Sequence, residues 1–213
     1  MADLQDLYPE IRRSIKHCPE PTMDDALLRA ARTFCAETWV LRRRFAFTCV
    51  AGQQQYQVLA PANEETIAIK HAQIADQVPG GLISPLRFVY PAMVNPNVGQ
   101  RRPYGICFVP YAAAALVPTP DNAYPVEVEL VTQPIVGTQC IPDELGRRFD
   151  RAMGYGALEW ILRMPGDPWY NPPGAEEYLR LFNQEIVRAR GEAAFDFTPN
   201  QRRWLGTGFA RRR

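Results

Sequence analysis

Arg43-Arg44-Phe45-Ala46-Phe47-Thr48-Cys49 decides how the chain is read, because here apolar residues stop recurring every three or four positions and begin to alternate. Phe45, Phe47 and Cys49 fall on one side and Arg44, Ala46 and Thr48 on the other, the pattern of a strand with one wet face. Ala51-Gly52 then turns the chain into Tyr56 to Leu59, which predicts a hairpin. Upstream the pattern is helical. Thr22 precedes Asp25 by three residues, an N-cap with an acidic N3 position, and Leu27, Ala30, Ala31, Phe34, Thr38 and Leu41 follow at helical spacing. This predicts a helix from about Met23 to Leu41. A shorter one is expected over 4–15, where Leu4, Leu7, Ile11 and Ile15 share a face and Pro19 and Pro21 close the segment.

Downstream, alternation persists. Ile67, Ile69 and His71 predict a strand over Thr66 to Ile74, and Val126, Val128 and Leu130 alternate with Glu127, Glu129 and Val131. Leu82 to Val89, Tyr104 to Val109 and Ala113 to Val117 are shorter strand candidates. Eleven of the 20 prolines lie between Pro79 and Pro142, whereas 22–60, 143–164 and 174–198 hold none, so long helices fit only in those windows. Helical pattern returns at Pro142-Asp143, striped by Leu145, Phe149, Ala152, Met153, Gly156, Ala157, Trp160, Ile161 and Met164, and stops at Pro165-Gly166. A turn-rich link leads to a last helix from about Gly174 to Ala194, striped by Tyr178, Leu181, Phe182, Glu185, Ile186 and Ala189. The expected fold class is α+β. N-terminal helices (1–42) and a C-terminal helical hairpin (142–194) form an antiparallel helical bundle, a β-rich domain (43–141) of antiparallel sandwich or barrel-like form is inserted, and a basic extended arm (195–213) follows.

The chain has 213 residues, 46% hydrophobic and 22% charged. A fold of this length buries roughly 70% of the surface its unfolded form exposes, which excludes disorder throughout. No apolar run approaches the roughly 18 residues needed to cross a bilayer. Asp3 and Asp6 stand where a secretory signal would carry cations, so export is not expected. Five cysteines, odd in number, widely spaced and without a C-x-x-C pair, suggest free thiols in a reducing cytosol.

Catalytic chemistry is sparse. His17 and His71 are the two histidines, so the commonest general base and metal ligand is nearly absent. His17 stands beside Cys18, yet a metal site needs three or four ligands and no second cluster accompanies them. His71 reads as a sheet-face residue, and Cys35 and Cys49 as small apolar side chains. Of the paired acids, Asp143-Glu144 and Glu176-Glu177 suit first turns of helices and Glu64-Glu65 a turn before a strand. No phosphate-loop, dinucleotide or nucleophile-elbow motif occurs. The reading is therefore a non-enzyme with no catalytic residues, cofactor or metal. Arg42-Arg43-Arg44 falls where the second helix is expected to end, a favourable place for positive charge.

The arm is different. Residues 195–213 carry five arginines against Asp196 alone, a net +4 within a chain of net +1, so the remainder carries −3. Phe197, Trp204 and Phe209 are large apolar anchors without periodicity, and Arg202, Arg203, Arg211, Arg212 and Arg213 surround them. Such a segment cannot recover its ordering entropy alone, so it either folds onto another body or stays solvated and disordered.

Several stretches carry a family resemblance. Pro142 to Leu145, Ala157-Leu158-Glu159-Trp160-Ile161-Leu162-Arg163-Met164-Pro165-Gly166-Asp167-Pro168-Trp169 and Tyr178 to Ala194 resemble the C-terminal hairpin of the head-to-tail adaptors of short-tailed bacteriophages, the tail tubular protein A-like family. Cys18-Pro19-Glu20-Pro21 leading into Ala26 to Ala31 and Phe34-Cys35, then Trp39 and Val50-Ala51-Gly52-Gln53 ahead of Tyr56, resemble that family's opening. The likeness covers about three quarters of the chain and is weakest across Asp76 to Ala123. It implies a structural virion protein, assembled in the host cytoplasm, that forms a dodecameric ring. Such a ring joins the portal protein to the tail nozzle protein and tail fibres and surrounds the DNA exit channel without sequence-specific binding. The arm residues named above would then meet the portal or a neighbouring subunit. A rival expectation is a stand-alone nucleic-acid-binding protein using the arm and Arg42 to Arg44. A hydrolase is a third, for which no constellation of residues exists.

Overall fold

The structure, a computed structural model, describes residues 1–75, 82–90, 99–109 and 113–195. It is of mixed α+β class and divides into two compact units, Met1–Val40 with Val136 onward, and Leu41–Ile135.

In the first unit, a 3₁₀ turn Leu4–Leu7 runs into the short helix α1 (Tyr8–Arg12), burying Leu4, Leu7 and Ile11. The single helix expected over 4–15 is thus two tight pieces, the second opening with Pro9 in its first turn, a position where proline needs no donor. Helix α2 spans Glu20–Thr38, earlier at both ends than the period predicts. Pro19 and Pro21, read above as closing the preceding segment, instead open this one. At the other end Trp39 takes a left-handed conformation (φ 56°) and returns its N–H to the Cys35 carbonyl at 2.9 Å, releasing Val40 and Leu41 from the helix.

The C-terminal stripe forms α3 (Asp143–Arg148) and α4 (Asp150–Leu162), broken at buried Phe149, whose φ of −122° is non-helical. Helix α5 spans Pro172–Ala194, with Asn171 capping the Gly174 N–H at 3.2 Å and the two prolines in the first turn. Phe34 of α2 is fully buried and meets the rings of Phe149 at 5.0 Å and Phe182 at 6.1 Å, so all three chain regions share one core. A two-residue ribbon, β1 (Ala2–Asp3) against β10 (Cys140–Ile141), adds the chain start to this unit. The pairing explains why the β unit ends at Ile135, short of the boundary at 141 that proline density suggested.

The second unit holds two four-stranded sheets. One has the order β2 (Arg42–Thr48), β9 (Pro125–Pro134), β4 (Glu64–Ala75), β5 (Ile83–Pro85), all antiparallel. The other has the order β3 (Gln55–Gln57), β8 (Ala113–Val117), β7 (Gly105–Val109), β6 (Arg87–Phe88), antiparallel but for the parallel β6–β7 pair. Neither sheet closes into a barrel among the described residues. One apolar cluster draws from both, including Ile69, Ile74, Val126, Val128 and Leu130 of the first and Tyr56, Ile106, Ala114 and Leu116 of the second.

Two expectations are corrected here. The hairpin predicted at Ala51-Gly52 does not form: β2 pairs with β9 and β3 with β8, so the turn carries the chain from one sheet to the other. The Tyr56 hydroxyl fixes this crossover, donating to the Gln53 carbonyl at 2.6 Å and accepting from the Val50 N–H at 3.0 Å, while Gly52 supplies a φ of +80°. In β4, register shifts after Thr66 and Ile69 break the alternation, so Ile69, Ala72 and Ile74 are buried and His71 is exposed, not on one face with Ile69.

Candidate interaction surfaces

The arm residues singled out from sequence, Phe197, Arg202, Arg203, Trp204, Phe209, Arg211, Arg212 and Arg213, lie outside the described residues. Phe195 is the C-cap of α5.

Arg42, Arg43 and Arg44 do not follow a helix end; they begin β2. Alternation gives them different surroundings. The Arg43 guanidinium reaches across β9 to Glu64 on β4, with nitrogen–oxygen distances of 2.6 Å and 3.0 Å, and the second Glu64 oxygen also accepts the Thr132 hydroxyl at 2.6 Å. The Glu64 side chain is 6% exposed. A carboxylate so buried requires its cation and hydroxyl, so this cluster fastens three strands together. Glu65 accepts the Gln133 amide at 2.6 Å. The two acids are therefore sheet residues, not a turn cap. Arg42 lies 3.9 Å from Glu129, which also faces Lys70 at 3.8 Å.

The other candidates for chemistry are separated in space. His17 is exposed in a turn with φ 66°, whereas its neighbour Cys18 is buried, and burial together with nearby Asp167 pushes that thiol upward. Asp143 and Glu144 do occupy the first turn of α3. Glu176 and Glu177 do not start α5, which begins at Pro172; Glu177 instead chelates Arg180 at 2.6 Å, and that bond holds its carboxyl below the usual range. All five cysteines are free thiols. Among the described residues no group of three or more His, Cys, Asp or Glu is placed to hold a metal ion, and no helix is long and apolar enough to cross a membrane.

What the sequence did not reveal is a groove on the helical unit. Its volume is about 480 Å³. Ala30 of α2, Gly156 of α4 and Phe182 and Ile186 of α5 line its apolar base, and Gly156 keeps α4 close to α2 because a β-carbon there would meet Ala30 at 2.8 Å and Phe182 at 3.0 Å. Glu37 and Glu159 line it too, each held by an arginine of the same unit, Arg190 and Arg163. Beside it lies a second depression of about 430 Å³, which adds Asp25, Leu28 and Val136. Both depressions share Thr33, Arg29 and Trp160, and the Arg29 guanidinium lies over the Trp160 ring at 5.3 Å. Val187 and Val136, one in each depression, are 68% and 74% exposed. Three chain segments far apart in sequence build this surface, so a helical stripe alone could not signal it.

The sequence matches the SU10 adaptor protein family over residues 2–204, and the chain belongs to that family. Membership gives a phage adaptor, a structural class consistent with the sparse chemistry, and implies a virion component. No curated protein matches the chain.

Proposed function

We propose that this member of the SU10 adaptor family is the head-to-tail adaptor that joins a phage portal to the tail. The observation that carries the reading is the extent of the family match, residues 2–204, which spans both compact units and runs into the basic arm. In the finer picture the helices form an antiparallel bundle, the two sheets form a sandwich, and the chain resembles the tail tubular protein A-like adaptors. Copies close into a ring, dodecameric by that resemblance, around the DNA exit channel, with the nozzle and fibres beyond. Residues 195–213 engage the portal or a neighbouring subunit, with Trp204 and Phe209 as anchors and the arginines as rim contacts. A channel for DNA must not retain it, and the −3 charge of the remaining chain suits that requirement.

The rival nucleic-acid reading is weakened by Arg43, which is committed to Glu64 and not displayed. Electron microscopy of the purified protein, alone and mixed with its portal, tests the proposal. Rings seated on the portal are expected for the full chain and not for a chain ending at Ala194. Failure of the full chain to bind portal, or salt-dependent DNA binding by the isolated protein, would reject it.

A further inference from the structure

Each sheet of the second unit ends in two edge strands, and an edge is a row of backbone donors and acceptors ready to pair with another chain unless something blunts it. Among the described residues, three of the four edges are blunted by shortness: β3 and β5 have three residues each, β5 ending in Pro85, and β6 has two. The fourth is different. Strand β2 runs seven residues, Arg42–Thr48, without proline, and its register with β9 shows no bulge. Its bonded side identifies its open one. The Leu41 carbonyl accepts the Thr132 N–H at 3.1 Å and the Cys49 N–H donates to the Tyr124 carbonyl at 2.9 Å, so the odd-numbered residues bond β9. Even-numbered Arg44, Ala46 and Thr48 therefore turn their N–H and C=O groups outward, and all three residues are exposed. Phe45 and Phe47, packed on the apolar cluster with ring centroids 6.0 Å apart, are only half-buried, so apolar surface runs up to this edge.

We infer that β2 pairs with β2 of a second copy, antiparallel about a twofold axis at Ala46, joining two four-stranded sheets into one continuous sheet. The strand is its own complement in that register. Arg44 stands opposite the partner's Thr48 and Ala46 opposite the partner's Ala46, and each such row closes with a mutual pair of backbone hydrogen bonds. Between these rows each Phe45 meets the partner's Phe47, at the positions where antiparallel side chains come closest and aromatic cross-strand pairs are favourable. Centring the pair on Arg44 would set like charges face to face. Centring it on Phe45 would give up both Phe45–Phe47 pairs and place Phe47 opposite an Arg43 that Glu64 already holds. An isologous contact of this kind is complete with two copies, so it covers the edge without templating further addition. It belongs to the free protein. A twofold contact is not repeated around a single cyclic ring, so the pair must part where copies enter the ring proposed above.

The test uses the full chain with Cys140→Ser, which removes the partly exposed native thiol. In the proposed register the two Ala46 Cα atoms stand about 5.5 Å apart, within disulfide reach. Ala46→Cys should therefore give a disulfide-linked dimer under mild oxidation. Thr48→Cys should not, because the two copies of that position lie four residues out of register, roughly 14 Å apart. Mixing Arg44→Cys chains with Thr48→Cys chains should restore the link. In analytical ultracentrifugation the chain without added cysteines should sediment as a dimer that dissociates on dilution. Ala46→Pro removes the central donor at an edge where proline is tolerated, and should weaken dimerisation at least about tenfold. Circular dichroism shows whether that variant folds; if it does not, Ala46→Lys, which sets two cations face to face, decides by the same readout. A monomer at every concentration, a dimer indifferent to the folded variant, no disulfide from Ala46→Cys, or equal linking from Thr48→Cys would each overturn the inference. No portal enters this experiment, so its failure is distinct from failure of the adaptor reading.

Discussion

Gly156 faces Ala30 so closely that a β-carbon at 156 would stand 2.8 Å from the Ala30 methyl. In an exposed helix, glycine to alanine stabilises by roughly 1 kcal/mol. Here the added methyl would force α2 and α4 apart and press on the Phe182 ring, and overpacking costs about 1–3 kcal/mol. Gly156→Ala should therefore lower the thermal midpoint, whereas Gly191→Ala on α5, with nothing within 4 Å, should leave it equal or higher. Thermal denaturation of both variants checks the contrast in one experiment.

The Arg43–Glu64 pair makes a second prediction. Removing one partner of a buried ion pair strands a charge and costs about 3–5 kcal/mol, whereas replacing both with apolar residues is often near neutral. Arg43→Met leaves the 6% exposed Glu64 side chain with Thr132 but without its guanidinium. Destabilisation of about 3 kcal/mol is expected for that variant, and the double variant Arg43→Met, Glu64→Leu should recover most of it. Urea denaturation of the two singles and the double closes a double-mutant cycle, and additive losses would contradict the coupling.

These two sites mark where the sequence is legible. Helices α2, α4 and α5 were readable because each buries one stripe, and that stripe repeats at the helical period whatever it packs against. Strands β2 and β9 were readable because apolar residues alternate along them, whereas β7 and β8, buried at successive positions, were marked by the prolines and glycines around them. Strand pairing was not, since nothing local to Ala51-Gly52 tells the chain whether to fold back or cross to another sheet. Two register shifts hid the face of His71, and helix and strand pictures gave Arg43 different neighbours, of which only the strand brings Glu64 within reach. The groove around Trp160 was invisible for a further reason: its residues come from three helices, and periodicity reports burial within one.

Alkaline pH should expose Tyr8. Its ring is buried and its hydroxyl donates to Asp24 at 2.6 Å, and burial first, then that carboxylate, pushes the phenol well above the usual value near 10. The folded state therefore keeps a proton that the unfolded state releases, so this stabilisation is complete below about pH 10 and is lost as pH rises beyond it. Tyr56 and Tyr124 are raised in the same direction, so a slope remains without Tyr8. Tyr8→Phe should cost about 1 kcal/mol at neutral pH for the lost hydrogen bond and make the decline between about pH 9.5 and 11 shallower. Stability measured by urea titration across that range would contradict this if the two slopes coincide.

Thiol reactivity separates the five cysteines. Attack requires a thiolate at the surface, and burial both blocks the reagent and disfavours the charged form. Cys18, Cys49 and Cys107 are buried with thiols pushed upward for that reason, and Cys35 has no exposed surface. Cys140 is partly exposed within the β1–β10 ribbon and is the one cysteine that burial does not protect. With a disulfide reagent in native buffer, one thiol per chain should react rapidly and the other four only as the protein opens. Cys140→Ser should remove the fast phase and leave the slow one, and urea should convert all remaining thiols to the fast class. A second fast thiol in the native protein would point to Cys18, at 8% the most exposed of the buried four, and would mean that the turn carrying His17 opens on the timescale of labelling.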